Sequence, residues 1–306
     1  MRKSATALLA TVFASLIATS AFAVAVDGTA EVVYGPPLAI QDTNTGFGDS
    51  NLGQVDYANG SELDAAFGGI DGGFLYLVLA GNLESNFNKL EIFIDSKGGG
   101  ENRLLGTNSN QGGFLRMCDD GSGNGLIFET GFEADYWISP TCGGAPFAMY
   151  VDYVVVGGGV GYYLGQGQAG GGGGGALTGG NAPSGGGSLG VLASINNSTV
   201  AGVAGGGCPP GAGSGAGVTT GFEVAIPLAA IGNPTSCVNV VAFVNGSSHD
   251  YVSNQVLGAA TGACNMADPR SVDFRQQPGV QFFTVCPGLP TSATPSTWGR
   301  VKTLYR

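Results

Sequence analysis

The sequence predicts an all-β fold, an antiparallel β-sandwich of jelly-roll or immunoglobulin-like type with glycine-rich loop insertions, and three observations predict it. Short runs rich in β-branched and aromatic residues recur along the chain, separated by clusters of Gly, Asn, Asp and Ser. No amphipathic helix longer than about two turns can be traced. The 306 residues include 57 glycines and 14 prolines but only 11% charged side chains, too few helix formers for a bundle. Apolar residues at 43% are enough for a core, which argues against wholesale disorder.

Residues 1–23 read as an export signal. Arg2 and Lys3 precede a short apolar run, and Ala21-Phe22-Ala23 supplies a small-x-small cleavage pattern. The run is too short to span a bilayer comfortably. A single sandwich domain is expected over 24–290, with its strands at 30–34, 38–41, 73–80, 89–95, 132–139, 148–156, 191–195, 221–227, 238–245 and 282–286. Residues 61–67 suggest a helical turn capped by Ser61. Alternation places Leu90, Ile92 and Ile94 on one face of their strand, with Glu91, Phe93 and Asp95 on the other. In 222–226, Phe222, Val224 and Ile226 point inward and Glu223 outward. Without crossover helices, such strands pair antiparallel.

Stretches 157–188 and 201–217 are so rich in glycine that they read as flexible insertions, or alternatively as an assembly or adhesion element. The tail, 291–306, gathers basic residues around Trp298 in an otherwise acidic chain. It reads as a docking element or as a recognition tag for surface retention. The net charge of −11 disfavours a phosphate-backbone partner, so nucleic-acid binding is not expected.

All six cysteines, Cys118, Cys142, Cys208, Cys237, Cys264 and Cys286, lie beyond the expected signal. An even count in an exported chain favours disulfides, and no close C-x-x-C spacing suggests zinc. Cys118 with Cys142 is the expected local pair, and the late cysteines suit a staple at the last strands.

Asp120-Gly121-Ser122-Gly123-Asn124-Gly125 places oxygen side chains at positions 1, 3 and 5 and glycine at 6, the front half of a calcium loop. Gly131 occupies the position of the usual bidentate acid, so Glu129 or Glu133 would have to substitute. The alternative is an ordinary polar turn. A second, weaker oxygen-rich loop contains Asp42, Asn44 and Asp49. The lone histidine, His249, stands in Ser247-Ser248-His249-Asp250-Tyr251. Triad members come from separate segments, so this run reads as a loop histidine bonded locally and no enzyme is expected. Glu91 and Asp95, about 13 Å apart along a strand, are too widely set for a glycosidase pair.

Three segments together resemble the family 9 carbohydrate-binding modules and their DOMON-like relatives. They are Val26-Asp27-Gly28 with Tyr34-Gly35, the strand pair 73–79 and 90–95, and Gly221-Phe222-Glu223-Val224-Ala225-Ile226-Pro227-Leu228 leading into 238–245. The resemblance spans roughly 26–285 and implies an exported, calcium-stabilised sandwich that binds a polysaccharide or cell-surface glycan through exposed aromatic side chains. Trp137, Tyr136, Tyr251 and His249 are the candidates, although neither Trp137 nor Trp298 matches a sugar-clamping position of the family. The DOMON-like relatives also imply a haem alternative, with Met117, Met149 or Met266 paired with His249. A structural or adhesive surface protein that associates with itself is the runner-up function.

Overall fold

The computed structural model describes residues 24–47, 60–167, 174–199, 208–213, 215–258, 260 and 262–289. The expected signal, the 291–306 tail with Trp298, and Asp49 lie outside these residues. Among the described residues two antiparallel sheets form the sandwich. The first sheet runs β1 (Ala39–Ile40), β2 (Glu62–Asp71), β3 (Phe74–Asn82), β10 (Gly221–Pro227), β9 (Leu192–Ile195). The second runs β12 (Val252–Leu257), β11 (Val238–Asn245), β4 (Lys89–Asp95), β5 (Tyr136–Gly143), β6 (Ala148–Val155), β7 (Val160–Gly167), β8 (Thr178–Gly179). A last strand, β13 (Phe283–Val285), pairs with the start of β11.

The inner faces meet in one apolar core. Leu75, Leu77 and Leu79 of β3 and Phe222, Val224 and Ile226 of β10 pack against Leu90, Ile92 and Ile94 of β4 and their neighbours, as the alternation predicts. The outer face of the second sheet is also covered, over part of its width. Phe93, Trp137, Val154, Val241 and Phe243 lie under Phe114, Phe128, Phe132 and Phe274, which long connections bring across the sheet. The rings of Phe93 and Phe128 stand 4.7 Å apart, and those of Phe114 and Trp137 4.8 Å. Strands buried on both faces need near-continuous apolar runs, which is why β4 and β11 read that way.

Several expectations are corrected. Residues 61–67 do not form a helical turn. Residues 62–67 belong to β2, which pairs with β3 along its length and is buried up to its last residue. Pairing and burial outweigh the helix propensity of its alanines and acids. Residues 32–34 form a 3₁₀ turn instead of a strand. The first glycine-rich stretch is not a loose insertion, since its described part contributes β7 and β8 to the edge of the second sheet. Its glycines serve close approach: a Cβ on Gly165, at φ 128°, would lie 2.7 Å from the carbonyl oxygen of Thr178. β12 lies outside the strands expected from the sequence.

Glu223 does point away from the sandwich core, yet it is fully buried. One oxygen accepts the amides of Asp27, Gly28 and Thr29 at 2.8, 2.9 and 3.3 Å, and the other accepts the Tyr34 hydroxyl at 2.8 Å. This carboxylate ties the opening Asp-Gly segment to β10.

The disulfides are Cys208–Cys264 and Cys237–Cys286. The second staples β11 to β13, as the late cysteines suggest. The expected Cys118–Cys142 bond is not made: Cys118 belongs to the outer cluster and Cys142 to the sandwich core, on opposite faces of the second sheet. Among the described residues no helix is long and apolar enough to cross a membrane.

Candidate functional site

The outer face of the second sheet changes character along its strands. At one level the register aligns Val241, Phe93, Trp137 and Val154, all within the outer apolar cluster. Two residues along, Phe243 and Glu91 pair across β11 and β4, and Ser139, Asp152 and Tyr163 pair across β5, β6 and β7. Two further on stand Asn245, Lys89, Thr141, Tyr150 and Gln166. The same face is therefore apolar at one level and polar and aromatic at the next two.

This polar half is only partly covered. Lys89, Tyr150, Asp152 and Tyr163 are half-buried and Gln166 is exposed. Phe87, 42% exposed, stands 6.4 Å from the Tyr150 ring and extends the aromatic surface. The Ser139 side chain is buried at the centre of the strip, beneath these half-buried groups. Asp152 accepts from Gln111 Nε2 at 2.7 Å. Burial lifts the Asp152 carboxyl above its ordinary range, against the Gln111 hydrogen bond and the Lys89 and His249 charges. Burial lowers the Lys89 ammonium, against the opposing pull of Glu91 and Asp152. Burial and the nearby Asp152 charge raise the Tyr163 phenol. Partial dehydration strengthens whatever hydrogen bonds a bound ligand makes here.

Beneath the boundary between the halves lies a buried network. Glu91, fully buried, accepts Trp137 Nε1 at 2.8 Å and Asn245 Nδ2 at 3.0 Å, and its Oε1 lies 2.6 Å from His249 Nδ1. Burial alone would raise the Glu91 carboxyl, but the His249 charge and the three hydrogen bonds outweigh it and bring it below its ordinary range.

The sequence-predicted ligand residues do not assemble. Trp137 is wholly buried beneath Phe114 and is no sugar platform. Tyr136, 6% exposed, faces the sandwich core, and its hydroxyl meets Lys97 Nζ at 3.2 Å. Tyr251 alone is open to solvent, 44% exposed, stacked on Phe47 at 5.9 Å. His249 is not a locally bonded loop residue, because its partners come from 158 and 137 residues away. Both of its ring nitrogens are engaged, so it has none left for iron, and Met149 lies on the far side of the sheet from Met117. The residues do not fit a haem.

Nor does the 120–125 turn fit a calcium cage. Asp120 accepts the Ser122 hydroxyl at 2.6 Å and pairs with Arg270 at 3.2 Å, so an arginine already stands at its carboxylate. Asn124 is exposed, and Glu129 accepts the adjacent Thr130 amide at 2.7 Å. In the second loop Asp42 points to solvent, while the Asn44 carbonyl accepts from Asn254 at 2.9 Å. Among the described residues no three His, Cys, Asp or Glu side chains are grouped to hold a metal ion.

Sequence reasoning missed Lys89, Ser139, Thr141, Tyr150, Asp152 and Tyr163. A signal was present in 149–153, where Met149, Val151 and Tyr153 alternate with Tyr150 and Asp152. Comparison with protein-family models, with curated proteins and with solved structures finds no match to this chain.

Proposed function

We propose that this chain is an exported, non-catalytic carbohydrate-binding module whose ligand lies on the polar half of the outer sheet face. One observation carries the reading: Tyr150, Tyr163, Lys89 and Asp152 form a half-buried strip of aromatic and hydrogen-bonding groups open to solvent on one face of the sheet. A sugar ring offers both chemistries at once, C–H faces for aromatic rings and hydroxyls that donate and accept. Sites of this kind pair apolar contact with a few placed polar groups. The resemblance to family 9 modules points the same way, and the two disulfides suit the oxidising compartment that export implies.

Affinity electrophoresis of residues 24–306 through gels containing different polysaccharides tests the proposal. Retardation on one glycan class supports it, and free migration on all of them removes it. Running each gel with calcium and with chelator tests the calcium role implied by the resemblance.

The second reading, a structural or adhesive surface protein, is favoured by the glycine-rich edge beside β8. There a Cβ on Gly180 would lie 2.3 Å from the carbonyl oxygens of Gly187 and Leu164, so backbone packs directly on backbone. Self-association without sugar, read by sedimentation, would favour that reading.

A further inference from the structure

We infer that His249 is a positioning residue for the binding face, an imidazolium that clamps the turn Gln111–Met117 onto the sheet and thereby sets the orientation of Asp152. The inference deepens the carbohydrate-face reading and rests on it only for its consequence for ligand affinity.

The geometry around the ring is restrictive. His249 is 3% exposed, and the 246–251 turn holds it at φ 56°, a left-handed conformation uncommon outside glycine. Its Nδ1 lies 2.6 Å from Glu91 Oε1, and its Nε2 lies 2.8 Å from the carbonyl oxygen of Gly112. Carboxylate and carbonyl oxygens accept hydrogen bonds, and a neutral imidazole has a single N–H. Only the doubly protonated ring donates to both. The other contacts of Glu91, Trp137 Nε1 and Asn245 Nδ2, are donors as well, which leaves the carboxylate as the natural form of that side chain. The charged groups that interact with the ring are Glu91 from β4 and Asp152 from β6, and Lys89 of β4 interacts in turn with both of those carboxylates. Asp250, next in its own turn, is exposed.

The clamped segment needs glycine at the point of contact. Gly112 and Gly113 have φ 62° and 96°. A Cβ on Gly113 would lie 3.2 Å from His249 Cδ2, and one on Gly112 would lie 2.8 Å from the Asp152 carboxyl carbon. The backbone therefore passes between the imidazole and the binding face, and Gln111, one residue earlier, donates to Asp152 at 2.7 Å. His249 fixes Gly112, Gly112 fixes Gln111, and Gln111 orients the carboxylate.

His249 is the only histidine of the chain, so a long-range proton–nitrogen NMR spectrum of the folded protein reports this imidazole alone. The expected spectrum near neutral pH shows both ring nitrogens protonated. A neutral ring in a single tautomer, with the proton on Glu91, would overturn the inference. Independently, His249→Gln should speed amide exchange at 111–117 by about tenfold or more, while β4 and β5 keep their protection. Unchanged protection at 111–117 would also overturn it. If that variant fails to fold, the spectrum of the unsubstituted protein decides alone. On a gel that retards the parent protein, His249→Gln and Gln111→Ala should weaken retention comparably, and the double variant no more than either. Absence of retention in the parent would remove the carbohydrate reading, with the clamp still judged by spectrum and exchange.

Discussion

Phe93, Trp137 and Val154 stand two residues from Glu91, Ser139 and Asp152 on the same three strands and the same face, yet the two rows have different fates. The first is sealed by phenylalanines from the long connections, and its side chains join a buried apolar cluster that stabilises the fold. The second keeps carboxyl and ammonium groups held partly away from water. One sheet face thus combines a second core with a half-exposed polar strip, and the open groups of that strip, Lys89, Tyr150, Asp152 and Tyr163, are what a ligand can use. Glu91 sits at the seam.

The largest effects should come from the sealed half and the seam. Phe93→Ala should destabilise the protein by about 3–5 kcal/mol through the cavity it leaves. Glu91→Ala should cost about 3–5 kcal/mol by a different route, since it strands a buried imidazolium. Urea unfolding of the two variants checks both. A value below about 1 kcal/mol for Glu91→Ala would break the seam.

Next in size is the Cys237–Cys286 staple, which closes a 49-residue separation where β13 pairs with the start of β11. Replacing both cysteines with serine should cost about 4 kcal/mol on loop-closure grounds, measurable in the same titration.

A pH series sharpens the contrast between buried carboxyls. Glu91, with a charged partner, is held below its ordinary range, so the contribution of its own ionisation is present above that range and is lost in acid. Glu223 accepts more hydrogen bonds, but from uncharged donors, and burial pushes it up to about 7. Burial likewise raises Glu62 to about 9 and Asp64 to about 7. A carboxyl raised on folding binds its proton more tightly in the native state, so stability is fullest below the unfolded value and falls as pH climbs through the folded one. The midpoint of urea unfolding should therefore decline from about pH 5 to about pH 9, and Glu223→Gln should flatten the part near pH 7. A flat profile in the parent protein would contradict the assignment.

The sandwich was legible because its core strands alternate or run apolar within short, glycine-bounded segments: 89–95, 221–227 and 238–245 are β4, β10 and β11 residue for residue. β7 was hidden because Gly161, Gly165 and Gly167 lower its apparent strand propensity, while their lack of a side chain lets neighbouring strands approach. The polar strip was hidden for another reason. Alternation shows that Tyr150 and Asp152 share a face, but cross-strand register brings them beside Ser139 and Lys89, and register is a property of the folded sheet. His249 was misread as local because its partners arrive from β4 and from the 111–117 turn, which no spacing around residue 249 encodes.

The smallest expected effect on stability accompanies the most informative one on function. Tyr150→Ala and Asp152→Ala should each change stability by about 1 kcal/mol or less, because their side chains are half-exposed. The decisive measurement is their migration beside the unsubstituted protein in the polysaccharide gel that retards it. The polar half as binding face predicts that both variants run as freely as in a gel without polysaccharide. Retardation equal to that of the unsubstituted protein would contradict it and place the glycan elsewhere on the molecule.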